Sequence, residues 1–399
     1  MASLLTLQEA QERVLERARP LPAEPVPVAE AGGRVTAEDV RARVDLPPFA
    51  NSAMDGFAVR AADLPGPLRI VGESAAGQPY EARVEAGCAV AISTGAVVPE
   101  GADAVVPIEN VVKYENSVEI PHEVAPGAHI RPRGGDIAAG DVAVPARTTL
   151  TPARLAAAAA SGIAELPCRR RPRVAVLATG SELVGAGEPL RPGQIYETNT
   201  LMLAAALATA GADVSTEPPV ADDEAALREA LERGLAADVL VTSGGVSVGE
   251  HDLVREAERD LGVEEVFWRV SVKPGKPVLF GVRGETLVFG LPGNPVSSLV
   301  GSELFVKPAL RALQGLADPL PRLEPGRLTT ALRRNEERDE FVRARSHVDG
   351  DVLVLDPVVG QESHMIVRSA AADALVHIPR GNGELAAGST VQWLRFGVA

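Results

Sequence analysis

The spacing of hydrophobic and polar positions changes several times along this chain, and each change marks a unit. Near the N-terminus Ala10, Val14 and Ala18 recur every four residues, which predicts a helix that stops before Pro20. Thr6-Leu-Gln-Glu9 in front of it has the Thr-to-Glu spacing of a capping box. From about Val40 to Val144 the texture shifts to short runs such as Ala89-Val-Ala-Ile92 and Ala104-Val-Val106, separated by Gly and Pro. Such alternation predicts a strand-rich unit. Thr151-Pro152, with proline at the first helical position, opens a second helix that runs through an Ala-rich stretch to Gly162. The expected organisation is an elongated, helix-containing linker module made of residues 1–40 and 139–169, with the strand-rich unit 41–138 inserted into it.

From 170 to 317 short apolar runs alternate with amphipathic ones. Strands are predicted at Val174–Leu177, Ala212–Ser215 and Val239–Val241, and helices at Thr200–Ala210, Asp223–Leu235 and Leu253–Leu261. Further strands are expected near Phe267–Val272, Val278–Phe280 and Leu287–Phe289, before a closing helix over Pro295–Leu313. This order predicts a doubly wound α/β domain, in which ligands bind at the carboxyl ends of the strands. A Pro-rich link at 318–325 leads to a last unit, 318–399, whose alternating runs (Asp351–Leu355, Ala374–Ile378, Thr390–Leu394) predict a small β-barrel.

Composition narrows the function. The 399 residues are 46% hydrophobic and 23% charged, ordinary for a globular chain that divides into several domains. Aromatic residues make up only 3%, which disfavours base-stacking recognition. The formal charge of −15 argues against nucleic acid and anionic membranes as partners. No apolar run approaches the roughly 20 residues needed to span a bilayer, and Met1–Arg13 lacks the order of a signal peptide. Only Cys88 and Cys168 are present, in unrelated contexts. A cytoplasmic location is expected.

The chemistry concentrates in glycine-bearing turns at predicted strand ends. Ser243-Gly-Gly-Val-Ser-Val-Gly249, with Ser247 in its centre, leaves Gly244 and Gly245 unobstructed for close approach to phosphate oxygens, and Asp252 follows. Thr179-Gly180-Ser181 could cradle a second phosphate, with Glu182 holding a metal ion; an exposed Glu in a plain turn is the alternative. Asp252 and Asp222 could equally serve as helix caps. Together, Glu182 and Asp252 offer the hard oxygens Mg²⁺ prefers. Lys273-Pro-Gly-Lys276-Pro277 pins two lysines in one turn, a candidate anion site, and Leu291-Pro292-Gly293-Asn294-Pro295 reads both as a pocket edge and as the cap of the final helix. Four arginines in Arg169–Arg173 read as a solvated strand start. Asp55 beside Gly56, Ser93-Thr94-Gly95 and Asp136 lie in polar turns of the inserted unit. The histidines show no metal-ligand spacing.

Taken in order, Asn51-Ser-Ala-Met-Asp-Gly56, Thr94-Gly95 with Pro99–Asp103, Thr179–Glu182, Gly244–Gly249 with Asp252, Lys273–Pro277 and Leu291–Pro295 resemble the molybdopterin molybdenumtransferases of the MoeA type, which include the gephyrin E domain. The resemblance spans essentially the whole chain and implies an elongated homodimer that dimerises through the linker module. It implies a reaction of adenylylated molybdopterin with molybdate that gives molybdenum cofactor and AMP and requires Mg²⁺. By the same resemblance Glu182 and Asp252 bind metal, with Asp222 nearby, and Asp55, Thr94 and Asp136 come from the partner subunit. Lys273, Lys276 and Ser297 hold molybdate or phosphate, Pro292 and Pro295 shape the pocket, and Arg345 and Ser369 contact oxyanions. The adenylyltransferase acting one step earlier and cofactor-accepting proteins are implied partners. Two other readings stay open: a molybdopterin adenylyltransferase, and a non-catalytic gephyrin-like scaffold.

Overall fold

A computed structural model describes residues 4–221, 223–245 and 253–396. Its centre is a six-stranded sheet in the order Asp213–Thr216, Arg173–Ala178, Val239–Ser243, Thr286–Leu291, Leu279–Arg283, Glu264–Trp268. The first four strands are parallel; Leu279–Arg283 runs against both its neighbours. The sheet therefore has an antiparallel edge that the simple alternation did not predict. It arises because Arg283 and Thr286 pair directly across a turn at Gly284 (φ 60°), too short for a crossover helix.

Alternate residues of each central strand face opposite layers. Val174, Val176, Val239 and Val241 enter one core with Leu203 and Leu207, while Ala175, Leu177 and Leu240 enter the other with Leu227, Leu231 and Val254. Strand Arg173–Ala178 pairs with the second strand on one side and with the third on the other, so the winding reverses between Ala178 and Ser243. A crevice outside the strand ends is expected at that reversal.

The capping box at Thr6 forms as its spacing predicts, and the helix runs Leu7–Arg17. Sequence grouped this helix with the linker module. Its stripe of Ala10, Val14 and Ala18 is instead buried in the core of the α/β domain, against the closing helix. That closing helix spans Pro295–Leu313 but changes to a π-helix over Ser302–Val306. Gln11 Nε2 donates to the Leu304 carbonyl at 3.0 Å, satisfying an acceptor in the irregular turn. The linker module shows in the pairing of Ala23–Pro27 with Glu165–Arg169, over a core that includes Val26, Leu150, Ala158 and Leu166.

The inserted unit is a six-stranded mixed sheet with cores on both faces. The last unit is a closed barrel of five strands: Glu324–Leu328, Asp339–Asp349, Val352–Pro357, Ala374–Ile378 and Thr390–Arg395, filled by Trp393, Leu355 and Val376. It is stitched to the α/β domain where Val272-Lys273 pairs with Asp339-Glu340. Among the described residues, no helix is long and apolar enough to cross a membrane.

Candidate functional site

A cleft of about 920 Å³ opens at the carboxyl ends of the central strands, at the winding reversal. Thr179, Gly180 and Glu182 line it from the first strand's loop, and Ser243, Gly244 and Gly245 from the third's. Pro277, Pro292, Gly293, Asn294 and Pro295 complete the floor and one wall. Three of the turns singled out in the sequence thus meet in one space. Asp222, Ser247 and Asp252 lie outside the described residues.

Three of the backbone amides expected to cradle phosphate are committed. Thr179 N–H donates to Ser243 O, Gly180 N–H to Val220 O and Gly244 N–H to Leu291 O, at 3.0–3.1 Å. The glycines serve close approach instead. A Cβ at Gly244 (φ 99°) would stand 2.7 Å from Thr179 O, and one at Gly245 (φ 65°) 2.1 Å from Val254 Cγ2. The loop can sit this close to Thr179 and Val254 only because Gly244 and Gly245 carry no side chain.

The Ser243 hydroxyl is also occupied. It accepts from Asn199 Nδ2 at 2.8 Å, lies 3.2 Å from Ser298 Oγ and donates to Pro292 O at 3.4 Å. Asn199 Nδ2 also donates to Gly293 O at 2.7 Å. These donors fix the amide's orientation, since a flip would set Oδ1 against a carbonyl oxygen. Asn199 Oδ1 is therefore left buried, without a hydrogen bond, in a residue that lines the cleft. Its neighbour Glu197 accepts from the Thr200 N–H at 2.8 Å and so caps the helix Asn199–Ala208.

The lysine turn has a different fate. Lys273 Nζ is 2.9 Å from Glu340 of the barrel, and Lys276 is exposed; neither lines the cleft in a single chain. Ser297 is buried behind the wall, with Gly275 packed near its carbonyl. Asn294 caps the final helix with Pro295 at its first position, and no side-chain capping bond forms. The cap of the helix Glu224–Gly234 is Asp223, which accepts from Ala226 N–H at 2.8 Å.

In the inserted unit Asp55 Oδ1 accepts from the Thr94 N–H at 2.7 Å, so these two form one turn cluster. The Asp136 N–H is bonded to Leu46 O. None of the three lines the cleft of its own chain.

Sequence reasoning missed the wall supplied by the barrel. His364 and Ile366 line the cleft, and Ser363 O accepts from the Val296 N–H at 3.1 Å. The segment is shaped by Arg343, which is 1% exposed and donates to Met365 O, Ser369 Oγ, Gly360 O and Glu362 O. Burial pushes its pKa down, with Glu362 opposing. Ser369 is thus committed to Arg343, and Arg345 donates to Ala371 O outside the cleft. No local pattern marks these residues. Glu197-Thr-Asn199, which stands just before a predicted helix, could have been found as a capping sequence.

Three family models match in order: the MoeA N-terminal region (domain I and II) over 5–162, the "Probable molybdopterin binding domain" over 175–312, and the MoeA C-terminal region (domain IV) over 325–396. The chain is 41% identical to molybdopterin molybdenumtransferase 2 of Mycobacterium tuberculosis, covering 97% of this chain and 98% of that protein. It is 36% identical to the molybdopterin molybdenumtransferase of Haemophilus influenzae, with the same coverage. The crystal structure of the molybdopterin biosynthesis MoeA protein from Pyrococcus horikoshii superposes with a TM-score of 0.85 at 31% identity, over the full length of both chains. With all three regions matched in order and the cleft built by residues from two of them, the chain belongs to the MoeA family of molybdopterin molybdenumtransferases.

Proposed function

We propose that this chain transfers molybdenum from molybdate to adenylylated molybdopterin, releasing AMP, the activity for which its relatives are named. The observation that carries the reading is the cleft: nucleotide-sized, placed at the winding reversal, and walled by the α/β domain and the barrel together. The extra wall does not belong to a lone α/β adenylyltransferase domain, and a scaffold does not need such a cleft.

Within it, Glu182 would hold Mg²⁺, with Asp252 as its partner. The donor chemistry fits a hard cation: the Glu182 carboxylate folds over Gly180, where a Cβ would stand 2.6 Å from Oε2, and among the described residues no cation pairs with it. Among the same residues no group of three or more His, Cys, Asp or Glu forms a metal site, so water and substrate phosphates would complete the shell. Bound Mg²⁺ would neutralise charge on the phosphoanhydride oxygens. Asn199 Oδ1 would accept from a substrate N–H. Lys276 and Lys273 would meet molybdate at the rim, which requires Lys273 to exchange Glu340 for the anion.

A homodimer is part of the proposal. Asp55 and Thr94 would complete the partner's cleft, with Asp136 nearby; the exposed Phe49, Met54 and Ile108 beside that turn suit burial in an interface. A cytoplasmic location accords with two free, buried cysteines. The upstream adenylyltransferase and cofactor-accepting enzymes would be transient partners. AMP release from adenylylated molybdopterin should require molybdate and fall about 100-fold in Glu182→Gln. Release that proceeds equally without molybdate would overturn the assignment.

A further inference from the structure

A second cavity, of about 790 Å³, lies at the opposite end of the central sheet. Its lining includes Arg173, Asp238 and Thr286, at or just before the starts of three parallel strands, whereas the cleft lies at their carboxyl ends. The five-residue strand Val239–Ser243 separates the two spaces by roughly 15 Å.

Five arginines line this rear cavity, Arg17, Arg19, Arg169, Arg170 and Arg173, against three carboxylates, Glu16, Asp238 and Glu285. Two of the arginines are committed. Arg170 binds Asp238 through two nitrogens at 2.8 and 2.9 Å, and Arg173 Nη2 lies 3.6 Å from the same carboxylate while its backbone N–H donates to it at 2.7 Å. Arg169 spends one nitrogen on Leu21 O at 2.9 Å. Arg17 has only a 3.8 Å contact with exposed Glu264, and Arg19 makes no side-chain hydrogen bond or ion pair with any described residue. The cavity therefore carries two net positive charges on a chain whose own net charge is −15. Leu21, Val282 and Leu313 add apolar lining.

We infer that this rear cavity binds a small organic phosphate monoester, its dianionic phosphate held by Arg17, Arg19 and Arg169 and its organic part lying on Leu21, Val282 and Leu313. Guanidinium forks match tetrahedral oxyanions through paired N–H donors; Arg17 closes the first helix, Arg19 follows it, and Arg169 of the linker strand keeps nitrogens beyond the one bonded to Leu21 O. A dianion neutralises the local excess. The apolar lining distinguishes an organic phosphate from inorganic phosphate. The site joins the first helix, the linker module and the α/β sheet, so its ligand would stabilise their mutual packing. None of this depends on the chemistry of the cleft.

The test is calorimetric titration of the full chain with phenyl phosphate at low salt. The wild type should bind it saturably and at least about 5-fold more tightly than inorganic phosphate. The double variant Arg17→Glu/Arg19→Glu should raise the Kd at least about 10-fold. Arg19→Gln, at an exposed side chain with no bond to lose, should weaken binding to a smaller degree and leave the melting temperature unchanged, which guards against a folding artefact. Molybdate-dependent AMP release without added monoester should be the same in all three proteins. No saturable binding to the wild type, an equal Kd in the double variant, or equal affinity for phenyl and inorganic phosphate would each overturn the inference.

Discussion

Replacing Asn199 with alanine separates a structural amide from a substrate-reading one. The substitution deletes two donated hydrogen bonds, to Ser243 Oγ and to Gly293 O. Each contributes about 0.5–1.5 kcal/mol net. It also removes Oδ1, which is buried with no partner and whose desolvation costs the folded, ligand-free protein about 1–3 kcal/mol. The two effects oppose each other. Ser243 Oγ keeps Ser298 and Pro292, so its loss is softened further. The expected change in unfolding free energy is under about 2 kcal/mol, small for a residue that is 9% exposed.

The bound state is different. If a substrate N–H donates to Oδ1, the alanine variant removes that donor's acceptor, a loss of about 1–3 kcal/mol, or roughly 5- to 150-fold in kcat/KM. The assays are urea unfolding and molybdate-dependent AMP release as a function of pterin substrate concentration. The expected signature is near-native stability with a raised KM. A stability loss above about 3 kcal/mol with unchanged kcat/KM would show that the amide is only a brace between Ser243 and Gly293, and would refute the reasoning.

Further outcomes follow from other sites. Burial alone would raise the pKa of Asp238, but hydrogen bonds from Arg170 and the Arg173 N–H outweigh it and the net shift is downward. A carboxylate depressed in the folded state adds stability that is complete above its unfolded value near 4 and fades as pH falls through the folded one. The stability gap between wild type and Asp238→Asn should therefore be constant from pH 8 to about 5 and close below pH 4 in urea titrations; a gap that widens on acidification contradicts this. Gly245→Ala places a Cβ 2.1 Å from Val254 Cγ2 at a φ of 65°, so it should lose more than about 2 kcal/mol of stability, whereas alanine at Gly187, with nothing within 4 Å of its Cβ, meets only the backbone strain of φ 92°. Arg343→Lys cannot reproduce the guanidinium's bonds to the 360–369 segment. Hydrogen exchange at residues 360–366 should quicken at least about 10-fold while the barrel strands stay protected; unchanged exchange there would show that the segment holds its shape without the fork.

How much of this was legible in the sequence depends on the range over which each feature is specified. The capping box at Thr6, the short apolar run Val174–Leu177 and the proline at the head of the final helix are fixed within a few neighbouring residues, and they appear where the sequence puts them. The meeting of Thr179–Glu182, Ser243–Gly245 and Pro292–Pro295 was also readable, because a doubly wound sheet forces loops at the same strand ends together. What stayed hidden was set by partners far along the chain. Lys273 looks like a free cation until Glu340 pairs beside it across 67 positions, and His364 acquires a place only because Arg343 ties down its segment.

The glycines show how one signal carries two meanings. Gly180 and Gly244 drew attention as phosphate cradles, since a glycine turn at a strand end can offer its amides to an anion. Both amides are spent on Val220 and Leu291; the missing side chain of Gly244 lets its loop reach Thr179, and that of Gly180 leaves room for the Glu182 carboxylate. Packing two turns this closely has its own chemical consequence. It seals the floor against side chains and leaves the uncommitted polar atoms on what surrounds it: the Asn199 carbonyl, the Glu182 carboxylate and the imidazole of His364. Under the proposed function, these side chains from three separate segments would read the substrate, and Gly180, Gly244 and Gly245 set the space they share.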